Sequence, residues 1–248
     1  MATLHIRPNR LRQDAVSRRR ILFAGFIAAA LTILIHPVSA LLGFAVVIVF
    51  SRTRTPAEEA KRHGAEGEDL VLGIPEVAPG SLVTLPGSFT VFNQLIVPFD
   101  RGSCEIDFLV LGPNGIFVIE VKHHHGVITG EEHDGSWIQF KQSRMGHVYA
   151  NPMRNPVAQV KRAIFGLKRY LVLHGVSTWI QGVVVLSHPD CVPDLGPMSV
   201  PVLRLPELSG YLLGARTAGL RRPDKPNEII QALWEADLAP IRACPGRA

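Results

Sequence analysis

Apolar and polar positions divide this chain into segments of very different period. From Ile21 to Phe50 no residue is charged if His36 is neutral. As one helix those residues would run about 45 Å, longer than the roughly 30 Å hydrocarbon core of a bilayer. His36-Pro37-Val38-Ser39 interrupts the run near its middle, and Pro37 removes a helix donor there. Two arrangements fit: one long kinked span, or a shallow hairpin of two short helices turning at His36–Ser39, whose halves Ile21–Ile35 and Ala40–Phe50 are each short for a full crossing. Gly64–Leu72 predicts a short helix, preceded by a charged linker over residues 51–62 with a plausible helix start at Pro56. Pro and Gly make residues 75–88 a loop, and Phe89–Phe99 reads as a strand.

Glu105–Leu111 and Ile116–Lys122 predict two apolar strands around the turn Gly112-Pro113-Asn114-Gly115. Further short strands are expected at 135–140 and 147–150, with turn or helix-start signals at Asn151-Pro152 and Asn155-Pro156. A helix follows from Val157 to about His174, with Val160, Ile164, Leu167 and Leu171 on one stripe. Trp179–Ser187 has a buried-strand pattern, Val200–Leu205 a second one, and Pro206–Leu213 and Asn227–Leu238 read as closing helices before a loose tail. The expected partition is a basic tail over 1–20, a membrane anchor over 21–50, the linker, a globular domain over 63–190 and a C-terminal extension over 191–248.

Charge changes this picture mainly by its position. The net charge is +5, but residues 1–62 hold 10 Lys/Arg against 3 Asp/Glu, which leaves residues 63–248 at −2. The basicity therefore belongs to the N-terminal segment and does not mark the globular part as a nucleic-acid surface by its long-range field. Arginines flank the apolar run on both sides, at Arg18, Arg19 and Arg20 and at Arg52 and Arg54. That favours a hairpin with both ends cytoplasmic in an inner or plasma membrane. A cleaved secretory signal ending at Ala40 would leave Leu41–Phe50 as a bare apolar terminus and is set aside. Three cysteines at unrelated spacings imply neither a disulfide framework nor a zinc ribbon.

The candidate chemistry lies in the 105–122 hairpin. A Pro113-Asn114 loop puts Asp107 opposite Glu120, and an Asn114-Gly115 loop puts it opposite Lys122. Either two-residue loop leaves Asp107, Glu120 and Lys122 on one face, whereas a three-residue loop would break that parity. Strict alternation assigns Ile106, Phe108, Val110, Phe117, Ile119 and Val121 to the other face. Two carboxylates and an amine at the end of such a strand pair are costly to desolvate. A cation or a catalytic role would compensate them, and so would a plain structural ion pair. His123-His124-His125 alternate in direction and cannot converge as three metal ligands; only His124 shares the parity of Lys122. The helix after Val157 carries a basic flank of Arg154, Lys161, Arg162, Lys168 and Arg169.

Gly64-x-x-Gly67-Glu68, Glu105-Ile106-Asp107, Gly115 to Lys122, Gly126, Trp137 and Asn155-Pro156-x-x-Gln159, in that order, resemble the nuclease-related domain (NERD) family of the PD-(D/E)XK nuclease superfamily. The resemblance spans about residues 63–190. It implies an α/β, restriction-endonuclease-like core, a mixed central sheet flanked by helices, here preceded by the membrane hairpin or kinked span. It implies Asp107, Glu120 and Glu68 as metal-binding acids for Mg²⁺ or Mn²⁺, and Lys122, Glu120, Asp107 and Glu68 as the catalytic set. Gln159, with Lys161 and Arg162 beside it, would contact nucleic acid, DNA by expectation, while residues 21–50 contact the lipid bilayer. Two departures stand out: Ile106 precedes the aspartate where the superfamily pattern has proline, and Ala163 stands where some related nucleases have tyrosine.

Overall fold

In a computed structural model of the chain, the described residues are 1–7, 21, 23–24, 27–28, 56–99, 102–143, 145–214 and 223–238. The chain divides into two compact units, residues 1–7 together with 67–248, and residues 8–66. Most of the expected anchor, 21–50, lies outside the described residues, as does the tail from 239 onward. Among the described residues no helix is long and apolar enough to cross a membrane.

Among the described residues, the regular elements of the larger unit are ten strands and four α-helices, with a 3-10 turn at Leu82–Thr84. In chain order they are β1 (Thr3–His5), α1 (Pro56–Leu72), β2 (Thr90–Phe99), β3 (Gly102–Gly112), β4 (Gly115–Lys122), β5 (Gly126–Gly130), β6 (Ser136–Gln142) and β7 (Val148–Arg154). Then come α2 (Pro156–Leu173), β8 (Ile180–Leu186), β9 (Cys191–Leu195), β10 (Val202–Arg204), α3 (Leu205–Leu213) and α4 (Pro226–Leu238). They form a six-stranded mixed sheet, β1-β2-β3-β4-β8-β10, and a four-stranded mixed sheet, β7-β6-β5-β9.

Helices flank the larger sheet because each of its faces is apolar. One face packs Leu109, Leu111, Val118 and Val184 with Val157, Val160, Leu167 and Leu171 of α2 and Leu233 of α4. The other packs Phe108, Val110, Phe117 and Val183 with Val71 and Leu72 of α1 and Leu208 and Leu212 of α3.

Several expectations change in detail. Residues 3–5, within the expected tail, form an edge strand parallel to β2. The described part of the linker, from Pro56 onward, and the short helix are one continuous helix. Asn151-Pro152 lies inside β7, not at a turn, and β7 is an edge strand, where a missing N–H is tolerated. The C-terminal extension is integral to the fold, since β9 joins the smaller sheet and β10 the larger one.

Asn155 starts α2 by accepting from the N–H groups of Val157 and Ala158 at 2.9 and 3.3 Å, with Pro156 in the first turn. Its own Nδ2 donates to the carbonyls of Glu131, Glu132 and Asp134, which ties the helix start to the β5–β6 loop.

Candidate active site

The β3–β4 turn is Pro113-Asn114, because Gly112 pairs with Gly115 and Phe108 with Ile119. Continuing that register places Asp107 opposite Glu120, just beyond the last regular pair. The β2–β3 ladder is interrupted at the same level. Asn93 pairs with Phe108 and Leu95 with Ile106, so Gln94 and Asp107 face each other outside the ladder. Gln94 has φ 48°, a left-handed conformation rare for a side chain of this kind.

That residue turns the strands over. Phe92 before it and Leu95 and Val97 after it lie in the same core cluster, as do Cys104, Ile106, Leu109 and Leu111 on β3. Alternation thus reverses at Gln94 and Asp107, and Ile106 packs on the opposite side from Phe108 and Val110. This corrects the strict alternation expected for β3: period-2 reasoning fails wherever one residue leaves the extended region.

The interruption frees two groups for the site. Val121 N–H, without a β3 partner in the ladder, donates to Asp107 Oδ2 at 2.7 Å. Gln94 Nε2, only 2% exposed as a residue, donates to Glu68 Oε2 at 2.7 Å. Lys122 Nζ donates to Glu120 Oε1 at 2.6 Å, with both side chains mostly covered. Glu68 comes from α1 one residue after Gly67, where a Cβ would stand 2.5 Å from His123 Cβ and 2.9 Å from Ser187 Oγ. Glycine at 67 therefore lets the helix lie against the end of β4 and brings the Glu68 carboxylate to the sheet.

Three carboxylates and one ammonium share this pocket of charge. Burial pushes Glu68 up to about 7, aided by the charges of Glu105, Asp69 and Glu120 and opposed by the Gln94 hydrogen bond. Burial also raises Asp107 well above the usual carboxylate range, with Glu120 and Glu68 adding to it and Lys122 and the Val121 N–H opposing. An excess of negative charge in a half-buried site is what a hard divalent cation relieves, and an all-oxygen donor set suits Mg²⁺ or Mn²⁺. As arranged, no group of three or more His, Cys, Asp or Glu among the described residues forms a metal-holding cluster. Mg²⁺ commonly binds through one or two carboxylates plus waters, so Asp107 and Glu120 suffice in donor type and number.

The remaining expected residues are placed differently. Gln159 lies on α2 with its Oε1 buried and without a hydrogen-bond partner. Lys161 is ion-paired with Glu132, which also accepts from Ser199. Arg162 is exposed on the same helix. Trp137 is fully buried, its Nε1 donating to the Glu131 carbonyl at 3.0 Å, so its role is to pack the smaller sheet.

The three histidines do not converge. His123 and His125 flank His188, with ring centroids 4.8 and 5.5 Å away. His124 is held down to about 4, first by burial and then by Lys122 and Lys141, which keeps it neutral at physiological pH. Sequence reasoning missed Gln94, Ser187 and His188. Gln94 had one visible signal, a polar pair with Asn93 inside an apolar strand.

A family model described as "NERD: Nuclease-related domain" matches residues 63–187. The chain belongs to the NERD family. No curated protein and no solved structure gives a match to it. The matched stretch of this NERD protein contains Glu68, Gln94, Asp107, Glu120, Lys122 and Gln159, the whole of the site and the helix that packs over the sheet.

Proposed function

We propose that this NERD protein is a membrane-anchored, Mg²⁺-dependent nuclease that hydrolyses phosphodiester bonds of nucleic acid, with DNA the expected polymer. The observation that carries the reading is the convergence of Asp107, Glu120, Glu68 and Lys122 at the interrupted end of β3 and β4. Asp107 and Glu120 would hold the cation, with Glu68 completing its shell or orienting the attacking water. Bound there, Mg²⁺ or Mn²⁺ would neutralise phosphate charge and lower the pKa of a water.

The chain's own groups supply the rest. Val121 N–H and Gln94 fix the orientations of Asp107 and Glu68, so little reorganisation is needed when substrate arrives. Lys122 Nζ, released from Glu120 by a phosphate or a cation, would meet the negative charge that develops on a phosphoryl oxygen. Gln159 has an unused buried acceptor, and Arg162 an exposed cation, for contacts to the polymer. The apolar run 21–50 with arginines at both ends supports lipid anchoring and a cytoplasmic domain.

The test is hydrolysis of single- and double-stranded DNA and RNA by the full chain with Mg²⁺ or Mn²⁺. Activity that disappears in Lys122→Ala is expected; equal activity in that variant, or none on any nucleic acid, refutes the proposal. A second reading, a catalytically inactive membrane-tethered binding or scaffold module, draws on the net −2 of residues 63–248 and the Lys122–Glu120 pair. Calorimetric titration with Mn²⁺ separates the two, since the second reading requires no site that Asp107→Ala removes.

A further inference from the structure

We propose that the β6–β7 hairpin is a landing surface for an unpaired nucleic-acid strand beside the candidate site, with Lys141 taking a phosphate and Tyr149 stacking against a base. The inference rests on the nuclease reading of that site and deepens it by naming single-stranded or frayed polymer as the substrate class. The two strands pair Trp137 with Met153, Gln139 with Asn151 and Lys141 with Tyr149. Cross-strand partners share a face, so these six side chains form one face of the hairpin. Its base is sealed, because Trp137 and Met153 pack into the core cluster that holds Val157 and Leu171 of α2. Gln139 is buried, whereas Lys141 and Tyr149 reach the surface at the far end, with Tyr149 46% exposed.

That far end adjoins Lys122. β5 begins at Gly126, four residues further along the chain. Gln139 Nε2 donates to the His125 carbonyl at 2.6 Å, which ties this face of the hairpin to the segment joining β4 to β5. Continuing the β5–β6 register from Val127 and Phe140 places Lys141 opposite Gly126. A Cβ at Gly126 would stand 2.2 Å from the Phe140 carbonyl oxygen, so glycine is what permits the approach. Behind burial, the charges of Lys122 and then Lys141 hold His124 below its ordinary value, which puts both ammonium groups within electrostatic reach of one ring.

Charge and ring chemistry decide the occupant. Residues 135–189 hold seven Lys or Arg and no Asp or Glu, whereas the rest of 63–248 holds nine against 18. The −2 of the whole stretch therefore conceals a cationic flank of β6, β7 and α2, continuous in the chain through Arg154 and Asn155. None of β5, β6 and β7 contains an acid, so a polyanion meets no repulsion from these strands. An exposed tyrosine beside a lysine suits a single strand, because stacking needs a base with an uncovered π-face and a duplex hides its bases. β7 is an edge strand, but Pro152 removes a donor from it and makes the addition of a further strand a poor fit. The face of the hairpin, and not its edge, is the surface on offer.

The experiment measures binding of a short fluorescein-labelled oligodeoxynucleotide, single-stranded and as a duplex, to the full chain by fluorescence anisotropy without divalent metal. Hydrolysis is assayed separately with Mg²⁺ or Mn²⁺. Tyr149→Ala should weaken single-strand binding by about 5- to 150-fold, the worth of one stacked base, and duplex binding by less than about 2-fold. Tyr149→Phe keeps the ring and should bind as wild type does. Lys141→Gln should lower the slope of log K against log salt by about 0.7 for the single strand. In a chain that cuts nucleic acid, unchanged single-strand binding in Tyr149→Ala and Lys141→Gln overturns the proposal, leaves the face to a protein partner and keeps the nuclease reading. Equal losses for single strand and duplex in Tyr149→Ala overturn the stacking assignment. Single-strand binding that depends on both residues in a chain that cuts nothing supports the landing surface and refutes the nuclease reading; a chain that neither binds nor cuts refutes both.

Discussion

Gly67 is the position where the fold and the proposed chemistry meet most tightly, and Gly67→Ala tests both. The new Cβ would sit 2.5 Å from His123 Cβ and 2.9 Å from Ser187 Oγ. Carbon atoms at ordinary contact stand about 3.5–4.0 Å apart, so α1 and the end of β4 must separate by about 1 Å. Ser187 Oγ can turn aside by rotation about χ1, but His123 Cβ is bonded to the backbone and cannot. Overpacking of this kind costs about 1–3 kcal/mol, while replacing glycine by alanine inside a helix returns about 1 kcal/mol.

The expected net is a loss of about 0–2 kcal/mol, or a fall of up to several degrees in Tm at about 2–4 °C per kcal/mol. Gly210→Ala is the matched control, since Gly210 lies within α3 with nothing inside 4 Å of its Cβ position. That variant should gain about 0.5–1 kcal/mol. Thermal unfolding of the two full-length variants, followed by near-ultraviolet circular dichroism, reads the difference in sign. Equal stabilisation by both would refute the close approach of α1 to β4. Gly67→Ala should also lose more nuclease activity than stability, because the same displacement strains the 2.7 Å Glu68–Gln94 bond that orients the carboxylate.

Three further outcomes follow from individual groups. Asp107→Asn keeps an acceptor for Val121 N–H but removes a charge that burial and Glu120 disfavour, so denaturant unfolding at pH 8 should find it within about 1 kcal/mol of wild type or more stable, with Mn²⁺ binding lost. A destabilisation of several kcal/mol would mark that carboxylate as a structural strut instead. Glu132 is held down to about 2, first by its Lys161 hydrogen bond and then by those from Ser199, and its ordinary value lies near 4.5. Its contribution to stability is therefore complete above the unfolded value and lost as pH falls from about 4.5 to about 2, and Glu132→Gln should flatten the stability profile in that window. Gln159→Leu removes a buried acceptor without a partner, so it should raise denaturant stability by about 1 kcal/mol while weakening retention of nucleic acid in a binding assay; unchanged retention would take Gln159 out of the interface.

Much of the candidate site is legible in the sequence because its residues lie close together in the chain. Asp107, Glu120 and Lys122 sit on one hairpin, and either two-residue turn brings them together. The Asn155-Pro156 start of α2 was legible for the same reason, since an Asn cap followed by proline is a local device. Glu68 stood out only through its glycine neighbour and the family pattern. Gln94 and His188 had no local pattern that linked them to the hairpin.

The amino-acid sequence by itself determined the turn chemistry, the helix starts, the apolar strands and the identity of the charged groups, because each depends on residues within a few positions of one another. Only the tertiary structure decided that Gln94 adopts a left-handed conformation opposite Asp107, since that strain is held by pairing and packing on both sides of it. That one residue reverses the faces of β2 and β3 and leaves Val121 N–H for the Asp107 carboxylate. The parallel pairing of β1 with β2 is likewise a contact between residues more than eighty positions apart. No local periodicity encodes it, because Thr3–His5 is too short to carry one and gains its order only from the sheet edge it completes.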